Sequence, residues 1–420
     1  MIVERRIGTH LNRIPHDKAV SRRDRLTTTT LGEVVEFHDH RRVPLSSLER
    51  ARRQGPFPYY GASGIIDSID DYLFDGEYLL IAEDGENLRS RKLPVCFLAS
   101  GQFWVNNHAH VVKARSDRAE NRFLASLLAH VDISGYITGT AQPKLSQANL
   151  KAIRIALPDV ETQRKIAATL SAYDDLIELN LRRITILEEM ARRIYREWFV
   201  RFRFPGHEGV RMVDSAVGKV PEGWKVVTIR DVSGYINRGV SPKYDDQALS
   251  IVINQKCIRD CRLNLELARR HSTSVPPEKL VRVGDVLVNS TGIGTLGRVA
   301  QVWEGVSQCT VDSHVTIVRP GDTVLPEYLG AYLETLEAHF DSLGTGSTGQ
   351  TELGRELIGG TEFLLPPYRI QEKFAALVRP ARQAVALMFR QNSNLCRTRD
   401  LLLPKLVSGE VDASHLLDAP

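Results

Sequence analysis

Cysteine is scarce, with five in 420 residues. Cys96, Cys257, Cys261, Cys309 and Cys396 are scattered along the chain, which excludes a disulfide-framed extracellular scaffold and suits a reducing compartment. The CxxxC of Cys257 and Cys261 is followed by no second pair at finger or ribbon spacing, so structural thiols rather than a zinc site are expected. Long apolar runs are missing as well. No stretch reaches the roughly 18 residues of a membrane-spanning helix, and the opening MIVERRIGTHLNRIPHDK is charged where a secretory leader would be apolar. A cytoplasmic protein without membrane contact is expected. An excess of one charge is lacking too: 55 Lys and Arg against 51 Asp and Glu leave a formal +4. Any surface for a polyanion must therefore be local. Finally, there is no GxSxG, no HExxH and no GxxxxGK[ST], so the familiar hydrolase, metalloprotease and P-loop chemistries have no foothold.

What the chain has is itself, twice. A shift of 208 residues carries Thr140, Gln142, Leu145, Leu157, Pro158, Gln163 and Lys165 onto Thr348, Gln350, Leu353, Leu365, Pro366, Gln371 and Lys373 without a gap. At the same shift Gly76, Leu79 and Leu80 meet Gly284, Leu287 and Val288. TLGEVV from Thr30 resembles TIRDVS from Thr228 at a shift of 198, so the variable middles differ by roughly ten residues. Each copy runs from a variable segment of about 130 residues, with alternating strand-like runs such as EYLLIA and HVTIVR, into a long helical segment. Duplicating a scaffold while changing its interior suits a protein that reads two different things. Two homologous structural domains without a reading role are the plainer alternative.

The helical segments have coiled-coil seams. Ile166, Leu170, Tyr173, Ile177, Ile184, Leu187, Ala191, Ile194 and Trp198 alternate at spacings of four and three, interrupted by Asn180. In the second copy Phe374, Val378, Ala381, Val385, Met388, Asn392, Leu395, Leu402 and Leu406 do the same, with Arg399 as a charged intruder. The simplest partner for each helix is the other, antiparallel. If their centres coincide, Asn180 faces Asn392, and a buried amide pair fixes the register at some cost in stability. Pro380 should kink the second helix or delay its start. A helix over 165–201 spans about 55 Å at about 1.5 Å per residue, comparable to about 16 base pairs at roughly 3.4 Å each.

Three near-motifs carry no catalytic weight. Gly292, Gly294 and Gly297 spell GxGxxG, but the following GRVAQVWEG reads as a strand, so no βαβ unit can be drawn and a tight turn is expected. LPPY at Leu365–Tyr368 is similar to the Asp/Asn-Pro-Pro-Tyr of adenine methyltransferases, yet leucine cannot accept a hydrogen bond from the target amine. The first copy has LPDV at the same place, and Leu-Pro there reads as the approach to a helix. His38 with His40 and His108 with His110 form HxH pairs, of which the second copy keeps His314. No third metal ligand follows, so strand or surface histidines are expected.

The order TLGEVV, YYGASGI, TGTAQPKLSQANLKAIRIALPDVETQRKIA, REWFVRFRFPGHEG, VPEGW and LLLPKLVSGEVD resembles the specificity subunits of type I restriction-modification enzymes, over residues 26–412. The resemblance implies a mixed α/β fold, with two homologous globular target-recognition domains separated by two long antiparallel helices that form a coiled coil. The expected boundaries are a basic extension at 1–25, recognition domains at 26–158 and 224–366, long helices at 159–201 and 367–408, a linker without a core at 202–223, and a tail at 409–420. It further implies a non-catalytic chain that binds double-stranded DNA, docks two adenine methyltransferase subunits carrying S-adenosylmethionine, and works with restriction subunits that use ATP and magnesium. No cofactor is expected on this chain. The alternatives are a helix-mediated interaction protein that never touches DNA, and the recognition part of a fused methyltransferase or nuclease.

For DNA contacts, residues 41–60 place Arg41, Arg42, Arg50, Arg52 and Arg53 beside Phe57, Tyr59 and Tyr60; guanidiniums can pair with phosphates or bridge guanine O6 and N7. A solvated helix face is the other reading. Lys144 in the first copy, and Arg238, Lys243, Lys256, Arg259 and Arg298 in the second, are further candidates. Gln142 and Gln350 suit adenine, but a glutamine shared by both copies is expected to hold a loop together rather than to read different bases.

Overall fold

The computed structural model describes residues 26–345, 351–408 and 410–413. The basic extension at 1–25 and Gln350 lie outside the described residues, as does most of the tail. The chain divides into two compact units: residues 1–178 with 393–420, and residues 179–392.

The first unit is built on a four-stranded antiparallel sheet in the order Val35–Phe37, Ala109–Ala114, Tyr78–Ala82, Cys96–Ala99. Of its two inner strands, Tyr78–Ala82 is buried along its whole length, as expected for a strand covered on both faces. A second sheet orders Gly64–Ile69, Gln54–Gly61, Gln102–Val105 and Phe74–Asp75, with Tyr59 and Tyr60 running parallel to Trp104 and Val105. A short ribbon pairs Thr27–Thr30 with Arg154–Leu157. The chain then enters the helix Val160–Tyr195, whose first turn is capped by Asp159 accepting from the Thr162 amide at 2.9 Å. Within this unit Ile166, Ala167 and Leu170 of that helix share a core with Phe123, Leu124, Leu403 and Leu406.

The second unit repeats the plan. Its main sheet is Ser233–Arg238, Val315–Pro320, Val286–Asn289, Val299–Gln301, again antiparallel and in the same sequential order. Ile251–Ile253 runs parallel to Cys309–Val311, and Lys225–Thr228 pairs with Glu362–Leu365. Both copies begin with a four-residue helix after a threonine; Asp231 accepts the Thr228 amide at 2.8 Å, and Glu33 accepts the Thr30 amide at 3.2 Å. The gapless glutamines explain themselves. Buried Gln163 accepts the Glu120 amide at 3.1 Å and donates to the carbonyls of Arg118 and Pro158, while buried Gln371 accepts the Leu325 amide at 2.8 Å and donates to those of Thr323 and Pro366. Each ties its long helix to its own sheet domain.

Within each unit the segments of the two long helices, Val160–Tyr195 and Tyr368–Val407, lie antiparallel to each other. In the first unit Asp174 pairs with Arg399. In the second, Asn180 Nδ2 donates to Asn392 Oδ1 at 2.8 Å, and Ile184 packs with Val385 and Met388. Glu188, almost fully buried, takes a two-pronged ion pair from Arg262 at 2.8 and 2.7 Å.

Two expectations are corrected. Of the kink or delayed start expected at Pro380, the delay does not occur: the second helix starts at Tyr368 and continues through the proline. A proline removes one helical hydrogen bond, and buried Phe374, Val378, Ala381 and Val385 on either side hold the helix to its core regardless. The segment at 202–223 is also not a bare linker. Met212–Ser215 and Gly218–Pro221 form a hairpin, and Phe204 and Val220 are buried. The first helix closes in a π-helical turn over Arg196–Val200 that delivers Trp198 and Phe199 to an aromatic cluster with Phe204, Trp224, Tyr328 and Phe374. Aromatic residues in a Gly- and Pro-rich stretch were the overlooked signal.

Candidate nucleic-acid interface

In each unit three loops converge at one end of the main sheet, and the backbone bonds that hold them are the same. In the first unit the Glu83 amide donates to the His108 carbonyl at 2.9 Å, and the Glu83 carbonyl accepts from Leu145 at 2.8 Å. In the second, Ser290 donates to His314 at 2.8 Å and accepts from Leu353 at 2.8 Å. The loop from Thr138 to Lys144 is closed by a mutual backbone pair, as is the loop from Thr345 to Glu352. Its glycine is obligatory in the first copy: Gly139 has φ 82°, and a Cβ there would lie 2.3 Å from the Gln142 carbonyl oxygen. The third element is a turn in which the His108 amide donates to Asn106 Oδ1 at 2.8 Å, matched by His314 donating to Asp312 Oδ1 at 2.9 Å.

The side chains on this common frame differ in charge. In the first unit His108 Nδ1 lies 2.9 Å from Asp84, and Lys144 meets Glu83 at 3.3 Å. Arg42 meets the other Glu83 oxygen at 2.8 Å. Behind them His110 is buried between Asp39 at 2.7 Å and the Leu145 carbonyl at 2.8 Å. Burial pushes the Asp39 and Glu83 carboxyls up. Hydrogen bonds to Asp39 from His110 and the Val111 amide, and to Glu83 from Arg42, reinforced by nearby positive charge, outweigh this and hold both below the ordinary carboxylate range. In the second unit His314 Nδ1 faces Thr291 Oγ1 at 2.8 Å, and Glu352 pairs with Arg238. Arg238 also donates to the Leu353 carbonyl at 2.9 Å. Burial raises the Asp312 carboxyl, with the amide and charge of His314 offsetting it only in part.

The structure sorts the candidate residues into three groups. Lys144 in the first unit, and Arg238, Lys256 and Arg298 in the second, sit on or beside these loops: Gln255, next to exposed Lys256, donates to the Thr291 carbonyl at 2.6 Å, and Arg298 donates to that of Gly294 at 2.7 Å. Arg52 and Lys243 are exposed, but no described contact of either joins these loops. The rest of the 41–60 cluster is largely framework. Tyr59, expected as a DNA contact, is fully buried with its hydroxyl accepting from the Leu45 amide at 2.9 Å, so it cannot stack on a base. Arg42 is nearly enclosed and spans Glu83 and the Ala109 carbonyl at 2.8 Å, a bracing role. Arg50 bonds Asp67, Arg53 pairs with Asp70 and lies over Trp104, and Tyr60 packs against Phe97 and Phe103. Arg41 is exposed but leans over Phe74 and donates to the Leu73 carbonyl.

Sequence reasoning treated His108 and His314 only as metal candidates, and among the described residues no cluster of metal-ligating side chains is gathered. Their value lies in marking the same turn in both copies. The CxxxC thiols are inert in character: burial pushes Cys257 up to about 11 and Cys261 up to about 12. The GxGxxG is a hairpin turn joining Val286–Asn289 to Val299–Gln301, with φ of 105°, 70° and 76° at its glycines. Among the described residues no helix is long and apolar enough to cross a membrane.

Residues 24–189 match the model of the type I restriction modification DNA specificity domain. An inferred type I restriction enzyme specificity subunit of Haemophilus influenzae is 26% identical over 358 residues, covering 83% of this chain and 85% of that protein. The type I restriction enzyme MjaIX specificity subunit of Methanocaldococcus jannaschii is 28% identical over 297 residues, covering 68% and 66%. The crystal structure of the type I restriction-modification system S subunit from M. genitalium shares the fold with a TM-score of 0.65 at 14% identity, over 91% of this chain and 96% of that one. The family model covers the first copy and most of its helix, and the second copy repeats the same strand order and the same loop bonds, so residues 24–189 carry a type I restriction modification DNA specificity domain and the chain as a whole is similar to the specificity subunits of type I restriction enzymes.

Proposed function

We propose that this chain is the DNA-sequence-recognition subunit of a type I restriction-modification complex, each unit reading one half of a bipartite target and the two long helices setting the spacer. The observation that carries the reading is one loop frame built twice with different side chains: Asp84 and Lys144 in one copy become Thr291 and Glu352 in the other. Base pairs present different donor and acceptor patterns in the major groove, so two half-sites require two chemistries on one geometry. The helices also dock two adenine methyltransferase subunits. Exposed Leu176, Leu179, Ile186 and Met190 on the first helix and Leu387 on the second support a protein-covered face. S-adenosylmethionine belongs to those partners, and ATP and magnesium to the restriction subunits; this chain is non-catalytic.

Mapping N6-methyladenine in the host genome with and without the gene gives the target. Binding of the full chain, with its methyltransferase partners, to that duplex and to a scrambled one is then followed by anisotropy across salt concentrations. Tighter binding to the mapped duplex is expected, and Lys144→Ala and Lys256→Ala should each reduce the slope of log affinity against log salt by about one. Equal binding to both duplexes, with no methylation pattern lost on deletion, would falsify the reading.

A further inference from the structure

Among the described residues of the second unit, Ile293 at the apex of the glycine turn is 81% accessible, as exposed as any large apolar side chain there. The turn around it is rigid. Leu296 donates to the Gly292 carbonyl at 2.9 Å and Gly297 to that of Asn289 at 2.9 Å, while the side chains of Gln255 and Arg298 clamp Thr291 and Gly294 from either side. The glycines are demanded by space as well as by φ: a Cβ on Gly292 would sit 2.4 Å from Thr295 Oγ1, and one on Gly297 2.6 Å from the Asp341 amide nitrogen. Leu296 is buried and anchors the turn, so the fold gains nothing from an isoleucine three residues earlier. A polar residue would serve the apex equally well if solvent were its only neighbour.

The surroundings point to what covers it. Exposed Lys256 adjoins the Gln255 clamp, Arg298 closes the turn, and His314 bonds Thr291 at its base, so the apex stands among groups suited to phosphates and base edges. The first unit does something similar. There exposed Ile66 borders the space over Gly61 together with the Asn106 amide, at the turn that matches Asp312 and His314. The apolar group that base edges offer in the major groove is the C5-methyl of thymine.

We infer that Ile293 is a specificity-determining contact of the second unit, packing its side chain against the 5-methyl of a thymine in the half-site that unit reads. This rests on the DNA-reading function proposed above. The contact adds apolar selectivity to a site whose other groups are polar, and its rigid seat keeps the ordering cost of the contact low.

The test uses the full chain with its methyltransferase partners and the mapped target duplex, in which each thymine is replaced singly by 2′-deoxyuridine, removing only the methyl. One such replacement should weaken wild-type binding about fourfold, the effect of one buried methyl group. Ile293→Ser should weaken binding to the thymine duplex by a similar factor and be indifferent to that replacement, with an unchanged melting temperature. Wild-type insensitivity to every replacement overturns the inference, as does a half-site without thymine, or an Ile293→Ser loss that persists equally on the deoxyuridine duplex, which indicates a wedge between bases. A folded wild-type assembly that does not prefer its mapped target defeats the DNA-reading proposal instead.

Discussion

The two units keep their backbone bonds and exchange their charges. Lys144 and Glu352 occupy the same place in the same closed loop, yet one leans on Glu83 and the other on Arg238. Asn106 and Asp312 accept the same amide in the same turn, one as a neutral amide and the other as a buried carboxyl. The frame therefore rests on main-chain bonds, the glutamine clamps and apolar cores, none of which depends on what the loop tips display. A side chain at the tip can change without disturbing the sheet beneath it. That independence is what a reader with two half-sites needs.

The largest effects should come from the parts the copies share. Gln163→Ala removes the acceptor of the part-buried Glu120 amide and the donor to two carbonyls, and Gln371→Ala does the same to Leu325, Thr323 and Pro366. An unsatisfied buried backbone group costs about 1–3 kcal/mol, so each variant should lose about 3 kcal/mol by denaturant titration. A large loss in one copy and none in the other would break the equivalence of the two frames.

The helix pair is held differently in the two units, and this gives the next effect down. In the second unit Asn180 and Asn392 are buried and bonded to each other; in the first, the pair of Asp174 and Arg399 is partly exposed. Asn180→Ala should cost about 1–2 kcal/mol by weakening a buried polar contact, whereas Asp174→Ala should cost at most about 1 kcal/mol. Replacing both asparagines by leucine should be neutral or stabilising, because it removes both polar groups together. If double leucine costs as much as single alanine, the amides contribute more than register.

Much of this was legible in the sequence because periodicity and self-similarity survive without coordinates. The seam through Ile166, Leu170 and Ile184 and the gapless repeat through Gln163 and Gln371 already imply two domains and two paired helices. Asn180 opposite Asn392 follows from aligning the helix centres. The tip chemistry was not legible. Arg42 and Tyr59 look like DNA contacts in a list of basic and aromatic residues, but burial and partnering are three-dimensional facts, and both are consumed by the fold. The buried Phe204 and Val220 were hidden by the glycine and proline around them. His108 and His314 were visible as a matched pair, but only the bonds at Asn106 and Asp312 give the match a meaning.

The smallest expected effect is also the most direct exchange between the copies. Asp312→Asn puts the first unit's residue into the second, keeping an oxygen to accept the His314 amide. Burial holds the Asp312 carboxyl above its ordinary value in the folded chain, so the fold favours the protonated form. Its contribution is fully present below the unfolded value of about 3.9 and is lost as pH rises through the folded one. Asparagine cannot ionise, so the variant should melt higher than wild type at pH 8, with the gap closing as pH falls toward 4. Scanning calorimetry at both pH values checks this. A variant that melts lower at pH 8 would mean that the positive charge His314 can carry makes an ionised Asp312 useful, and that the second copy chose aspartate for its charge rather than tolerating it.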